Sequence, residues 1–188
     1  TADDALLDSY EAERIPATDK NILNSTRSTD FMTPKSTASR VLRDAVLDLA
    51  RDHGFARRLV NSGRLSVPAQ YAASPLNTAD TDAFEAGPPP GSPATDAPLA
   101  DGSWLTDRLA TNRFTLIVFD DDVADTAGMD DLEIVSVETS NARVTAARYD
   151  AEPGTAYLFR PDQHVAARWR QFGNEETRAA MARALGKQ

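Results

Sequence analysis

The chain has 188 residues, 41% of them hydrophobic and 26% charged, a make-up that allows one ordinary domain with a long extension, or two small ones. Its formal net charge of −9 argues against the basic patch that nucleic-acid binding requires and against attachment to anionic membranes, and the acidic excess reads as spread along the chain. With no cysteine, disulfides, thiolate metal sites and dithiol redox chemistry are excluded together.

No apolar run approaches the roughly 18 residues of a membrane span, and no basic-then-apolar leader opens the sequence, so a cytoplasmic protein is the default expectation. From residue 3 to about 31 the pattern is helical, with Leu6, Leu7 and Tyr10 spaced to share one face and Ile22 and Leu23 continuing an apolar side. Pro16 lacks an N–H and predicts a kink or the first turn of a second piece. Thr33-Pro34 ends the segment, because the residue before proline avoids the helical region.

Residues 36–53 carry the clearest helical pattern. Val41, Leu42, Ala45, Val46, Leu49 and Ala50 form a stripe at the 3.6 period, with Arg40, Arg43, Asp44, Asp48 and Arg51 mostly opposite. Gly54 reads as the stop, and 55–60 as a further short helix closing at Ser62-Gly63. His53 falls at the helix end, where an imidazole sits well against the last carbonyls, so capping is favoured over catalysis.

Residues 64–98 read as extended and irregular. Pro68, Pro75, Pro88, Pro89, Pro90, Pro93 and Pro98 forbid long regular elements, and Gly87-Pro88-Pro89-Pro90-Gly91 reads as a stiff linker over the surface. Beyond it the grammar changes. Residues 103–109 suggest a helical turn with Trp104, Leu105 and Leu109. Residues 114–119 and 132–137 are apolar runs of strong strand formers, the first covered on both faces. Asp120-Asp121-Asp122 reads as a solvated strand end, since a hard-metal site would need more oxygens at fixed spacing.

Residues 156–159 and 164–169 flank Arg160-Pro161-Asp162-Gln163, which suits a type I turn and an antiparallel hairpin. Residues 175–185 form a closing helix, capped by Asn174, with Glu175 and Glu176 at its positive end and Gly186-Lys187 after it. Parallel strands, then a hairpin, then a helix is the order of a thioredoxin-like half-fold.

Five stretches carry a resemblance to flavoprotein aromatic hydroxylases. Leu7-Asp8-Ser9-Tyr10-Glu11-Ala12-Glu13-Arg14-Ile15-Pro16 resembles the LLDSYxxERxPxA signature that in that family follows the cofactor domain. Arg64-Leu65-Ser66-Val67-Pro68 through Tyr71 and Ser74-Pro75-Leu76, with Asn61 and Gly63 in register, is similar to the GRLSxPxxYxxSPL connector of the phenol and hydroxyphenylpropionate hydroxylase branch. Residues 87–99 resemble its GxxPGxxAxDxPL stretch, and 114–119 its FTLLVF strand. Arg160-Pro161-Asp162-Gln163-His164-Val165-Ala166 resembles its RPDGHVAWR hairpin, with Gln163 in place of glycine and Ala167 in place of tryptophan, so the turn should adopt a left-handed conformation less easily.

The resemblance implies an α/β chain in three parts: a helical extension from the end of the flavin-monooxygenase core (1–63), a Pro/Gly-rich connector (64–98) and a thioredoxin-like C-terminal domain without cysteines (99–188). It implies FAD and NAD(P)H for a full-length parent that hydroxylates a phenolic ring, with neither bound by this chain, which has no GxGxxG cradle. No residue is assigned to catalysis, cofactor or metal. A start at Thr1 fits a C-terminal fragment whose partner is the flavin-binding domain of the same protein, and a homodimerising or protein-binding module is the alternative.

Individual side chains keep modest roles. Asp162 and His164 could form an acid–base pair, but an aspartate bonding its own turn backbone is the commoner arrangement. Arg160 reads as a turn-stabilising or surface residue ahead of a partner for a carboxylate across a domain boundary. Trp104 and Trp169 read as core or interface aromatics. Glu13 and Arg14 are expected, from the family motif, to pair with the flavin domain.

Overall fold

The structure, a computed structural model, describes residues 4–60, 68–121 and 129–187. Ser62-Gly63, Arg64-Leu65-Ser66-Val67 and Asp122 lie outside the described residues. By its contacts the chain forms two compact units, one of residues 1–13 with 69–188 and one of residues 14–68.

The first unit is built on a four-stranded mixed sheet. β1 (Phe114–Phe119) and β2 (Leu132–Val137) run parallel, while β3 (Ala156–Phe159) and β4 (Val165–Trp169) follow antiparallel, in the spatial order β2-β1-β3-β4. Every residue of β1 is buried, as its uninterrupted apolar run requires of a strand covered on both faces. Alternation then sorts the core. Phe114, Leu116 and Val118 join Leu158, Trp169, Ala180 and Met181 on one face, while Ile117 and Phe119 join Tyr149, Tyr157 and Phe159 on the other. Trp169 is therefore a core aromatic, whereas Trp104, just ahead of a 3-10 turn at Leu105–Arg108, is 47% exposed.

The closing helix, Asn174–Ala184, packs on the first face. Its N-cap is Gly173, not Asn174: both the backbone N–H and the hydroxyl of Thr177 donate to the Gly173 carbonyl, at 3.0 and 2.8 Å. Gly186, with φ 73°, ends the helix as expected. A further short helix, Arg143–Arg148, lies ahead of β3 and has no counterpart in the sequence reading.

The proline-rich stretch is bonded to the sheet. Thr78 N–H donates to Ala166 O, Gly91 N–H to Val165 O and Val165 N–H to Ser92 O, at 2.8, 2.8 and 2.9 Å, so this segment covers the edge of β4. Arg168 fixes it further: its guanidinium pairs with Asp80, donates to the Ala86 and Gly87 carbonyls and lies over Phe84. Arg170 covers the same ring at 4.0 Å while pairing with Asp150.

In the β3–β4 connection the Arg160 N–H donates to His164 O at 2.9 Å, leaving three residues between them in a loop of the kind that places one residue in the left-handed region. Gln163 occupies it with φ 64°, its N–H donating to Arg160 O at 2.9 Å. The turn thus adopts a left-handed residue without a glycine, at a steric cost to Gln163. Gln163→Gly is expected to raise stability by about 1 kcal/mol; an unchanged or lowered urea midpoint would contradict this strain.

The second unit is helical. Helix Asp4–Met32 is one element running through Pro16, its first turns belonging to the first unit and its remainder, from Arg14, to the second. Helix Thr37–Asp52 begins at Ser36, whose hydroxyl accepts the Ser39 N–H at 3.1 Å, and ends at His53, whose backbone N–H donates to Leu49 O. Gly54 does not stop it: an extended His53 does, and Gly54 opens the next helix, Gly54–Val60. Arg57 then donates to the Ala50 and Arg51 carbonyls at that junction. In chain order these helices are α1 (Asp4–Met32), α2 (Thr37–Asp52), α3 (Gly54–Val60), α4 (Arg143–Arg148) and α5 (Asn174–Ala184).

Charge divides unevenly between the units. Residues 14–68 hold ten basic and five acidic side chains, a net of +5, so the rest of the chain carries −14. The acidic excess is not evenly spread.

Candidate functional site

Residues from separate stretches of the first unit meet in a buried ionic cluster. On α1, Leu6, Ser9 and Glu13 fall at spacings of three and four, so they share a face. Ser9 and Glu13 are buried, while Leu7 and Tyr10 are 60% and 66% exposed. The buried stripe is therefore rotated from the apolar one that the sequence suggested. It carries a carboxylate into the protein.

Glu13 meets the β3–β4 turn there. Its Oε1 accepts from Arg160 Nη1 at 2.6 Å and from Ser74 Oγ at 2.6 Å, and its Oε2 from Arg160 Nη2 at 3.0 Å. The side chains of Glu13 and Arg160 are only 8% and 7% exposed. Arg160 also donates through Nε to Asp162 Oδ1 at 3.0 Å, so one guanidinium serves two carboxylates. Arg160 is thus a partner for a distant carboxylate as well as a turn residue. The expectation that Glu13 reaches for a flavin domain gives way to this internal pair; Arg14, next in the motif, faces outward.

His164 completes the cluster. Its Nδ1 lies 3.1 Å from Asp162 O and its Nε2 3.1 Å from Ala69 O, with the Tyr71 ring stacked on it at 4.5 Å. Two carbonyl oxygens call for two N–H donors, which only the imidazolium supplies. That form balances the charges: Glu13 and Asp162 against Arg160 and His164. Burial alone would lower the His164 pKa, but hydrogen bonding to Asp162 and that carboxylate's charge outweigh it and raise it above its ordinary value.

The carboxylates shift oppositely. Burial acts to raise Glu13, yet hydrogen bonds from Arg160 and Ser74 hold it below its ordinary value. Asp162 is likewise pushed upward by burial and brought well down by hydrogen bonds from His164 and Arg160. Stability from the carboxylates is present above their unfolded values near ~4 and is lost as pH falls through the depressed folded values. Stability from His164 is full below ~6.5 and is lost as pH rises through its raised folded value. The urea midpoint is therefore expected to be greatest between about pH 5 and 6.5, with His164→Gln flattening the alkaline decline. An alkaline decline of equal depth in that variant would remove His164 as its source.

Chemically the cluster is a clamp. Both His164 nitrogens face carbonyls, so the imidazole offers no free lone pair to a substrate, and Asp162 is engaged by Arg160 and the His164 backbone N–H. His53 caps α2 through its backbone N–H rather than through the expected imidazole, whose ring lies 5.8 Å from that of Phe55. Asp120, with φ 51°, accepts from the Thr139 N–H and hydroxyl at the end of β1. In the sequence Ser74 and Tyr71 stand out only as letters of the connector motif, Ser74 beside Pro75.

Residues 87–188 match the family described as aromatic-ring hydroxylase, C-terminal. The chain belongs to that family. Among solved structures, this aromatic-ring hydroxylase C-terminal chain is similar to the flavin-dependent monooxygenase PieE in complex with FAD and substrate, at 23% identity and TM-score 0.67, covering 100% of this chain and 41% of that one. It is similar to the rebeccamycin biosynthetic enzyme RebC with reduced flavin, at 21% identity and TM-score 0.68, covering 100% and 37%. It also resembles the OxyS anhydrotetracycline hydroxylase from Streptomyces rimosus, at 23% identity and TM-score 0.65, covering 99% and 36%. The chain thus spans about two fifths of the length of these structures. No curated protein matches it.

Among the described residues of this hydroxylase C-terminal chain, none forms a cradle for the pyrophosphate of FAD. A dinucleotide pyrophosphate needs a glycine-rich turn between a strand and a helix N-terminus. Here β1 runs instead into the carboxylates of Asp120 and Asp121, and the first turn of α2 is closed by its own Ser36 hydroxyl. Among the described residues, no helix is long and apolar enough to cross a membrane.

Proposed function

We propose that the chain is the C-terminal part of an FAD-dependent, NAD(P)H-using hydroxylase of phenolic rings, where it packs and positions rather than catalyses. The observation that carries this reading is the clamp: motif residues of a hydroxylase family bind each other, so that within it no base stands free beside a nucleophile. FAD and reduced flavin in the PieE and RebC structures support a flavin for the parent. The strand order, with a parallel first pair and an antiparallel second pair before α5, supports a thioredoxin-like domain, in which the lack of cysteine leaves no thiol chemistry.

In the parent, 1–63 would close the flavin core, 64–98 would connect and 99–188 would form the C-terminal domain. The partner we assign is the flavin-binding domain of the same protein, in the cytoplasm. Ile22, Val41 and Leu42, each at least 60% exposed, support such a covering partner. The purified chain is expected to be colourless after gel filtration and inactive on phenols with NADH or NADPH. Flavin absorbance that survives the column, or turnover by the chain alone, would end this reading.

A homodimer or protein-binding module is a second reading, favoured by α2, which has an apolar stripe but no buried residue. Sedimentation over a concentration series tests it: a strict monomer throughout removes self-association.

A further inference from the structure

A cleft of about 290 Å³ lies between the C-terminal half of α1 and the end of α3, wholly within residues 14–68. Asn24, Arg27, Ser28 and Phe31 line it from one face of α1, at helical spacings of three, four and seven from Asn24, and Arg58 and Leu59 line it from α3. Asn24, only 8% exposed, brings a side-chain amide to the wall of this cleft.

Two cations stand beside it. Arg57 is occupied with the carbonyls that end α2, but among the described residues no carboxylate pairs with Arg27 or Arg58. The surrounding unit carries +5 within a chain of −9, so its field attracts anions where the whole-chain charge would repel them. Phe31 and Leu59 supply apolar walls next to these polar groups.

We propose that this cleft binds a small amphipathic organic anion. The two guanidinia and the Asn24 amide would hold a carboxylate, and an apolar body would rest on Phe31 and Leu59. The volume suits a molecule of about ten heavy atoms, at the small end of ligand pockets.

Octanoate, octanol and inorganic phosphate, titrated separately into the whole chain while the Asn24 side-chain amide is followed by NMR, test the site. Octanoate is expected to saturate at one molecule per chain and to shift that amide, with octanol and phosphate each bound at least about tenfold more weakly. Arg27→Gln combined with Arg58→Gln is expected to raise the octanoate Kd by about tenfold or more. Both arginines are exposed, so the melting temperature should hold; Arg27→Lys, which keeps the charge, should bind between the two. Octanol as tight as octanoate would make this an apolar groove, and phosphate as tight would make it a bare anion site. Either result overturns the proposal, as does octanoate affinity unchanged in the double variant or no saturable shift at Asn24.

Discussion

Arg160→Met is expected to destabilise the protein by about 3–5 kcal/mol, because it leaves the Glu13 carboxylate buried without its cation. Glu13 and Arg160 are each less than one-tenth exposed, and the guanidinium also serves Asp162. For a chain of this size the loss corresponds to a fall in Tm of about 10 °C. The pair itself is worth less than that figure, since desolvating two charges offsets much of their attraction. A double-mutant cycle separates the two quantities. Glu13→Leu with Arg160→Met removes both charges and should cost clearly less than the sum of the single changes. Additive losses would mean that Glu13 and Arg160 do not act on each other, and the clamp would fail as an account of why these motif positions carry these residues.

The clamp also marks the limit of what one sequence displays. Its members were visible as letters: Glu13 in the opening signature, Tyr71 and Ser74 in the connector, Arg160, Asp162 and His164 in the hairpin. Their convergence was not, because Glu13 and Arg160 stand 147 residues apart and no local pattern links them. The opening helix misled for a related reason. Periodicity ranks faces by hydrophobicity, but α1 turns Leu7 and Tyr10 outward and buries Ser9 and Glu13, since a buried carboxylate with its cation satisfies the interior too.

Strands were easier to read. The apolar run of β1 and the turn chemistry of Arg160-Pro161-Asp162 are local signals, and both elements lie where those signals put them. α4 had no such signal, being six residues long with no side-chain cap at Ala142. Gly54 carried a misleading one. A glycine after an apolar stripe normally accepts a left-handed stop, whereas here His53 breaks the helix in an extended conformation and Gly54 begins another. The charge split is invisible to a sum over the whole chain, which hides a basic segment inside an acidic one.

Gly91→Ala is expected to cost about 3–4 kcal/mol, and it tests whether the proline-rich stretch is part of the folded unit. Gly91 has φ 84°, a region that carries a penalty for any side chain, and a Cβ there would run into the Tyr71 carbonyl and the Asn77 amide. Neither obstacle yields cheaply. The Tyr71 N–H donates to Gly91 O at 2.7 Å and the Asn77 amide donates to Tyr71 O at 2.8 Å, so the two strips of backbone hold each other. On the far side Gly91 donates to Val165 at the start of β4, and Tyr71 stacks on His164 in the clamp. Strain at Gly91 should therefore reach the ionic cluster as well as the sheet edge. Amide exchange at Tyr71 and Val165 is expected to quicken together, along with a drop in the urea midpoint. A free linker would behave differently, absorbing the methyl group with no change at β4, and that outcome would return residues 69–98 to the surface role that their composition first suggested.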